Sequence, residues 1–213
     1  MNIKLQNAGK RFNREWIYKG VTLDFSSSNA YAITGPNGSG KSTLLQAIGG
    51  MLQLSEGVVQ FAMDNKQLAT EEVYKQLSFC APYLDVIEEM TLQEFLHFHN
   101  QFKPFLPSFS AADIIREIGL GAAAGKQIRF YSSGMKQRVK LAQAIFSDTA
   151  VVLLDEPCSN LDLAGIELYH SLIQRFCSDR LVIVCSNDAV EYSFCKEVIS
   201  IVDYKDVASS NAV

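Results

Sequence analysis

No stretch of this 213-residue chain stays apolar for the roughly 20 residues that a bilayer-spanning helix requires. Nor do its Lys and Arg residues cluster, and the net charge is −4. The first absence argues against a membrane-spanning helix; the second argues against nucleic acid as the main partner. The five cysteines, Cys80, Cys158, Cys177, Cys185 and Cys195, lack the spacing of metal ligands or of a disulfide framework. Several lie in apolar, strand-like runs, so buried thiols in a reducing cytosol are expected. There is no low-complexity linker and no repeat. Met1 is followed by the strand-like Ile3-Lys4-Leu5 rather than by a signal peptide. The length suits one substantial core with a subdomain.

What is present begins with Gly35-Pro36-Asn37-Gly38-Ser39-Gly40-Lys41-Ser42-Thr43, which has the spacing of a Walker A loop. Tyr31 to Thr34 reads as a buried strand before it, and Leu44 to Ile48 as a helix after it. Small residues let successive backbone N–H groups turn inward toward phosphate oxygens, and the helix N-terminus adds partial positive charge. Lys41 would reach the outer phosphates and the Ser42 hydroxyl would hold Mg2+. A glycine-rich turn that binds nothing is the plainer alternative, and the flanking strand and helix weigh against it.

Val151-Val152-Leu153-Leu154-Asp155-Glu156-Pro157 is an apolar run ending in two acids, as a central parallel strand would. Asp155 would face the Walker A loop and hold Mg2+ through water; Glu156 would polarise the attacking water. Unpaired carboxylates are costly to bury, so acids here call for a cation or a proton. Tyr131-Ser132-Ser133-Gly134-Met135-Lys136-Gln137-Arg138 lies just upstream, followed by Val139, Ala142, Ile145 and Phe146 at helical spacing.

In this order the three segments resemble the motifs of ATP-binding cassette proteins, across essentially the whole chain. Ser132, Ser133 and Gly134 stand at the signature, where Tyr131, Ser133 and Met135 depart from the usual residues. Ser159-Asn160-Leu161-Asp162 looks like the D-loop, with Asp162 as its acid. Phe12 stands where the family has an adenine-stacking aromatic, with Trp16 and Tyr18 as rivals. The resemblance implies an α/β P-loop NTPase core with a mostly parallel sheet, a small antiparallel β-subdomain and a helical subdomain at about 83–131. It implies residues 1–213 as one nucleotide-binding domain, with no room for a membrane domain or second cassette. Asn37, Gly38, Ser39, Gly40, Lys41, Ser42 and Thr43 would bind nucleotide, Ser42 and Asp155 would serve Mg2+, and Glu156 and Asn187 would be catalytic.

Alternating residues at 2–7 and 20–25, with Val58 to Phe61, suggest the antiparallel subdomain. Phe12 and Trp16 are expected in the loop between the first two strands. Strands at 30–34, 77–81, 150–155, 181–185 and 198–202 alternate with helical stretches. Thr91 to Glu94 reads as a capping box, with Leu92, Phe95, Leu96, His99 and Phe102 on one face of the helix that follows. Pro104 and Pro107 end it, and 110–118 form another helix. His97 and His99, at i and i+2, point to different faces and read as structural. The aromatics Phe95, Phe98, Phe102, Phe105, Phe109 and Phe130 are mostly core, with one or two left to meet a membrane partner. Ala208 to Val213 read as a frayed end.

Two positions depart from the family in ways that bear on mechanism. Pro82 falls where a Mg2+-contacting Gln is usual, and Pro has no side-chain oxygen; Tyr83, Asp85 or Glu88 are the candidates to replace it. Asn187 stands at the switch His and cannot carry a proton. Slow hydrolysis is therefore expected. The implied function is an ATP-hydrolysing subunit, cytoplasmic and peripheral on the inner face of the membrane. It would act as a homodimer or heterodimer beneath a separate transmembrane permease, without nucleic acid. Export is favoured by analogy alone. The alternative is an ATP-dependent switch or scaffold with little turnover.

Overall fold

The computed structural model describes residues 1–64 and 66–205. The expected end at Ala208 to Val213 lies outside the described residues. The chain opens with a hairpin, β1 (Asn2–Phe12) and β2 (Glu15–Phe25), then β3 (Ala30–Thr34) and α1 (Lys41–Ile48). β4 (Glu56–Met63) and the short β5 (Lys66–Gln67) follow, then α2 (Thr70–Gln76) and β6 (Leu77–Cys80). α3 (Leu92–Phe102), α4 (Ala111–Glu117) and α5 (Ser133–Ile145) precede β7 (Val151–Asp155). α6 (Leu163–Phe176), β8 (Leu181–Cys185) and β9 (Glu197–Ser200) complete the regular elements, with short 3-10 turns between some of them.

The strands form two sheets: an antiparallel one of order β2-β1-β4-β5 and a parallel one of order β6-β7-β8-β3-β9. The parallel sheet is buried on both faces, and its residues divide by parity, because successive side chains leave a strand on opposite sides. Val151, Leu153, Leu181 and Ile183 join a core with α1 and the antiparallel sheet. Val152, Leu154, Val182 and Val184 join a second core with α3 to α6. Such a sheet holds the phosphate-side loops at the carboxyl ends of its strands.

The hairpin differs from the expected 2–7 and 20–25: each strand runs 11 residues. Its register shifts between Leu5 and Ala8, again before Lys10 and again before Arg11. Asn7 at φ 48° and Gly20 at φ 69° accompany these irregularities. They interrupt the period-two pattern by which strands are read, so the far ends look like loop. Phe12 and Trp16 accordingly lie in strands, not in the connecting loop. The last expected strand, 198–202, ends at Ser200 and turns into a 3-10 segment, Ile201–Tyr204.

The helical part begins as expected. Thr91 caps α3, its hydroxyl accepting from Glu94 N at 3.2 Å while Glu94 accepts from Thr91 N at 2.8 Å. Leu92, Phe95, Leu96 and His99 are buried, but Phe102, expected with them, is 70% exposed. It is the last residue of α3, and its ring packs on the exposed Phe98, 5.0 Å away, rather than in the core. Phe105 stacks near His99, and Phe109 packs between Phe146 and Phe176. Ser110 and Asp113 form a second capping box, at α4.

Candidate functional site

The loop from Gly35 to Gly40 is built on backbone that side chains resist. Gly38 has φ 74° and Gly40 φ 100°, the latter at the N-cap of α1. A Cβ on Gly40 would stand 2.3 Å from Ile17 Cγ2, so glycine there is required by packing as well as by conformation. Lys41 is buried, and its Nζ donates to Gly35 O at 2.8 Å and Pro36 O at 3.3 Å. The lysine thus closes the loop into a ring of backbone N–H groups at a helix N-terminus, a cradle for anionic oxygens. Ser42 and Thr43 continue its lining, and Glu156 and Ile17 close its sides around about 240 Å³.

Asp155 ends β7 beside this loop. It is 2% exposed and one of its oxygens has no hydrogen-bond partner. Burial pushes its pKa up; the Ser42 hydroxyl and the Lys41 ammonium pull the other way, and neighbouring Glu156 adds to the rise. A buried carboxylate oxygen without a partner beside the phosphate loop fits a small, hard cation with oxygen ligands, so Ser42 and Asp155 suit Mg2+. Glu156 follows at φ 43°, an unfavourable value for this residue, with its N–H donating to Cys185 O at 2.9 Å. That twist leaves Glu156 between the phosphate cradle and a second concavity of about 430 Å³ lined by Asn187, Asp188 and Glu191.

Asn187 Nδ2 donates to Asn37 Oδ1 at 3.0 Å, joining the switch segment to the Walker A loop. Glu191 went unremarked in the sequence. It is 6% exposed, accepts from Cys158 N at 2.8 Å with one oxygen and leaves the other without a partner. It ties the switch segment to the chain just after Glu156. An acid four residues after Asn187 was the only available signal.

The aromatics sort by strand parity. Phe12 pairs directly with Glu15, which shares a face with Ile17, the residue against the Walker A loop. Trp16 and Tyr18 point the other way. Tyr18 is wholly buried, and Trp16 carries Lys19 and Arg11 over its ring. Phe12 is 48% exposed, and Lys10 Nζ lies 5.0 Å from its ring centre. Ile17 had no signal in the sequence beyond its strand position.

Ser132, Ser133 and Gly134 stand apart from the loop. Ser132 caps α5, accepting from Met135 N at 3.2 Å. A Cβ on Gly134 would lie 2.9 Å from Asn160 O, so α5 rests directly on the D-loop backbone. Asp162 caps α6 through Gly165 N at 2.8 Å and meets Arg138 at 3.5 Å. These residues line their own concavity of about 520 Å³, which shares no residue with the Walker A cradle.

His99 Nε2 is 2.8 Å from Ser147 Oγ, and burial pushes the ring's pKa down to about 4; His97 Nδ1 lies 2.8 Å from Gln93 O. The His97 bond is within its own helix, and the His99 bond joins α3 to Ser147, just past the end of α5. Cys80, Cys158, Cys177 and Cys185 are buried free thiols, and Cys195 is half-buried.

A parallel sheet with a glycine loop after β3 opening a helix, and an acid at the end of β7 two strands away, defines a P-loop ATPase domain. Residues 18–159 match the family model described as ABC transporter, and the chain belongs to that family as an ATP-binding subunit with ATPase activity. The lantibiotic transport ATP-binding protein SrtF of Streptococcus pyogenes is 26% identical over 190 residues, 87% of this chain and 79% of that protein. An uncharacterised ABC transporter ATP-binding protein of Bacillus subtilis, YybJ, is 29% identical over 177 residues, 80% of this chain and 78% of its own length. Among solved structures, the ATP-binding cassette MJ0796, in a dimeric post-hydrolysis state bound to ADP and Pi, has a TM-score of 0.78. It is 25% identical, with 93% of each chain covered. A Pyrococcus furiosus protein described as an ABC transporter ATP-binding protein superposes with a TM-score of 0.81 at 18% identity, covering 97% of this chain and 100% of that one.

Proposed function

We propose that two copies of this chain, or this chain and a close relative, close head to tail around Mg-ATP and drive a separately encoded membrane permease. The observation that carries this is the separation of the Walker A cradle from the Ser132–Gly134 surface into two concavities of one chain. Each is half of a site. A nucleotide in one copy's cradle would present its γ-phosphate to the partner's α5 N-terminus, where Ser132 and Gly134 stand. The dimeric state of MJ0796 supports this arrangement.

In the reaction, ATP and water become ADP and phosphate. Backbone N–H groups of the loop and the Lys41 ammonium hold the phosphates, and the Phe12 ring stacks on adenine. Bound Mg2+ at Ser42 and Asp155 would neutralise phosphate charge. The Glu156 carboxylate accepts a hydrogen bond from the attacking water, and Asn187 donates its amide N–H to the γ-phosphate. Once the γ-phosphate leaves, the partner's helix loses its counter-charge and the pair opens. The exposed rings of Phe98 and Phe102 beside a groove at His99 and Leu84 offer the permease a docking surface. Export, and a place on the inner face of the cell membrane, belong to the same proposal.

The test is Glu156→Gln in Mg-ATP: the variant should pair by light scattering, remain paired, and release phosphate at least ~100-fold more slowly than wild type. A variant that stays single in saturating Mg-ATP refutes the head-to-tail site. Pro82 and the Asn187–Asn37 bond support a second reading, a slow switch. If Asn187→His raises phosphate release about tenfold or more, the Asn is a brake; an unchanged rate rejects the brake.

A further inference from the structure

The twist that follows the end of β7 has to be held in place. Glu156 has φ 43°, a conformation that persists only where its surroundings over-determine it. Glu156 N continues the sheet ladder by donating to Cys185 O at 2.9 Å. Pro157 has no N–H to give, and its carbonyl accepts from the buried Gln137 Nε2 at 2.7 Å. The next donor, Cys158 N, belongs to a buried residue beyond the end of the strand and needs an acceptor that the ladder does not supply. Glu191 supplies it, at 2.8 Å.

A carboxylate is costly to bury there. Asn187 to Val190 are exposed, and Glu191 turns inward after them. The turn is a short 3-10 segment capped by Asp188: Val190 N donates to Asp188 Oδ1 at 3.0 Å, and Glu191 N to Asp188 O at 3.0 Å. The Glu191 carbonyl accepts from the hydroxyl of the wholly buried Tyr169 at 2.9 Å, which fixes the residue against α6. Its second carboxylate oxygen has no partner. An apolar side chain of similar size would fill the space without that unmet charge. What it would lack is an acceptor for Cys158 N.

We infer that Glu191 is a positioning residue: by holding Cys158 N it keeps the Glu156 backbone in its twist and fixes the switch segment to the catalytic acid. This rests on the proposed role of Glu156 in orienting the attacking water. Glu191 does not line the Walker A cradle, so its removal should slow phosphate release and leave the binding of ATP alone.

The experiment is phosphate release by the full chain against Mg-ATP concentration, with melting temperature as a check on folding. Wild type, Glu191→Leu, Glu191→Gln, Glu156→Gln and the double variant Glu191→Leu/Glu156→Gln are compared. Glu191→Leu should lower kcat about 30-fold, as when a catalytic group is misplaced, with KM within about twofold and melting no lower than wild type. Glu191→Gln keeps an oxygen for Cys158 N and should stay within about threefold of wild type. In the Glu156→Gln background the Leu substitution should cost less than about twofold more, because the group it positions is already gone. Wild-type turnover in Glu191→Leu overturns the inference, as does a Gln variant as slow as the Leu variant. A rise in KM equal to the fall in kcat, or the full loss repeated in the double variant, overturns it too. If Glu191→Leu melts lower than wild type, Glu191→Met, unbranched and of similar length, is read in its place by the same criteria. Undiminished release by Glu156→Gln alone would instead remove the Glu156 reading on which the inference rests.

Discussion

The Walker A cradle and the Ser132–Gly134 surface are made in opposite ways. The Walker A half is over-determined: Gly40 is wedged against Ile17, Lys41 and Asp155 are buried, and Glu156 is twisted to φ 43°. The Ser132–Gly134 half is an ordinary capped helix end resting on the Asn160 carbonyl. One half stores its cost in the folded chain before any ligand arrives; the other holds little strain and waits for a partner. The difference teaches where binding and timing reside. On the proposed head-to-tail closure, affinity for phosphate would belong to the buried loop, and the response to ATP to the surface that a partner completes.

The largest effect should come from crowding the strained half. Gly40→Ala meets both the φ of 100° and the Ile17 contact at 2.3 Å, and should lower ATP affinity at least ~100-fold by calorimetry. Adding Ile17→Ala relieves the contact but not the dihedral, so only part should return. Full recovery would show that packing alone demands the glycine.

Crowding the other half should separate binding from turnover. Gly134→Ala pushes α5 off the Asn160 carbonyl, 2.9 Å away. Single-chain ATP affinity should hold while phosphate release and ATP-driven pairing fall about tenfold, since misplaced groups lose catalysis steeply. An equal fall in ATP affinity would erase the distinction between the halves.

A smaller effect tests the stored charge. Asp155→Asn should stabilise the ligand-free chain by about 1 kcal/mol while weakening Mg2+ dependence. The Asp155 pKa is raised in the folded state above its unfolded value. Its contribution to stability is therefore fullest below the unfolded pKa and is lost as pH rises through the folded one. Melting in EDTA should show that decline in wild type and a flatter profile in Asp155→Asn. The smallest change is expected for Arg138→Ala. Its 3.5 Å pair with the exposed Asp162 should contribute under about 0.5 kcal/mol by denaturant titration.

Much of the fold was legible because its signals are local. Thr91 with Glu94, the buried run Val151 to Leu154, and the glycine spacing from Gly35 to Gly40 each depend on residues a few positions apart. The hairpin was half-legible, since the irregularity at Asn7 and Gly20 breaks the alternation by which a strand is recognised. Phe102 was misjudged because it shares a side of α3 with Phe95 but sits at the helix's last position, and wheel position alone does not tell where the core stops along the helix.

By itself, the sequence determined the phosphate loop, the acids at the end of β7 and the serine cap of α5. A curled loop and a capped helix are decided by dihedral limits and by hydrogen bonds to near neighbours in the chain. Only the tertiary structure decided that Ile17 forbids a side chain at Gly40 and that Tyr83 reaches α1. Those outcomes join residues 23 and 37 positions apart, Ile17 with Gly40 and Gln46 with Tyr83. Close packing of sheet, helix and turn selects such pairs, and no local pattern encodes them.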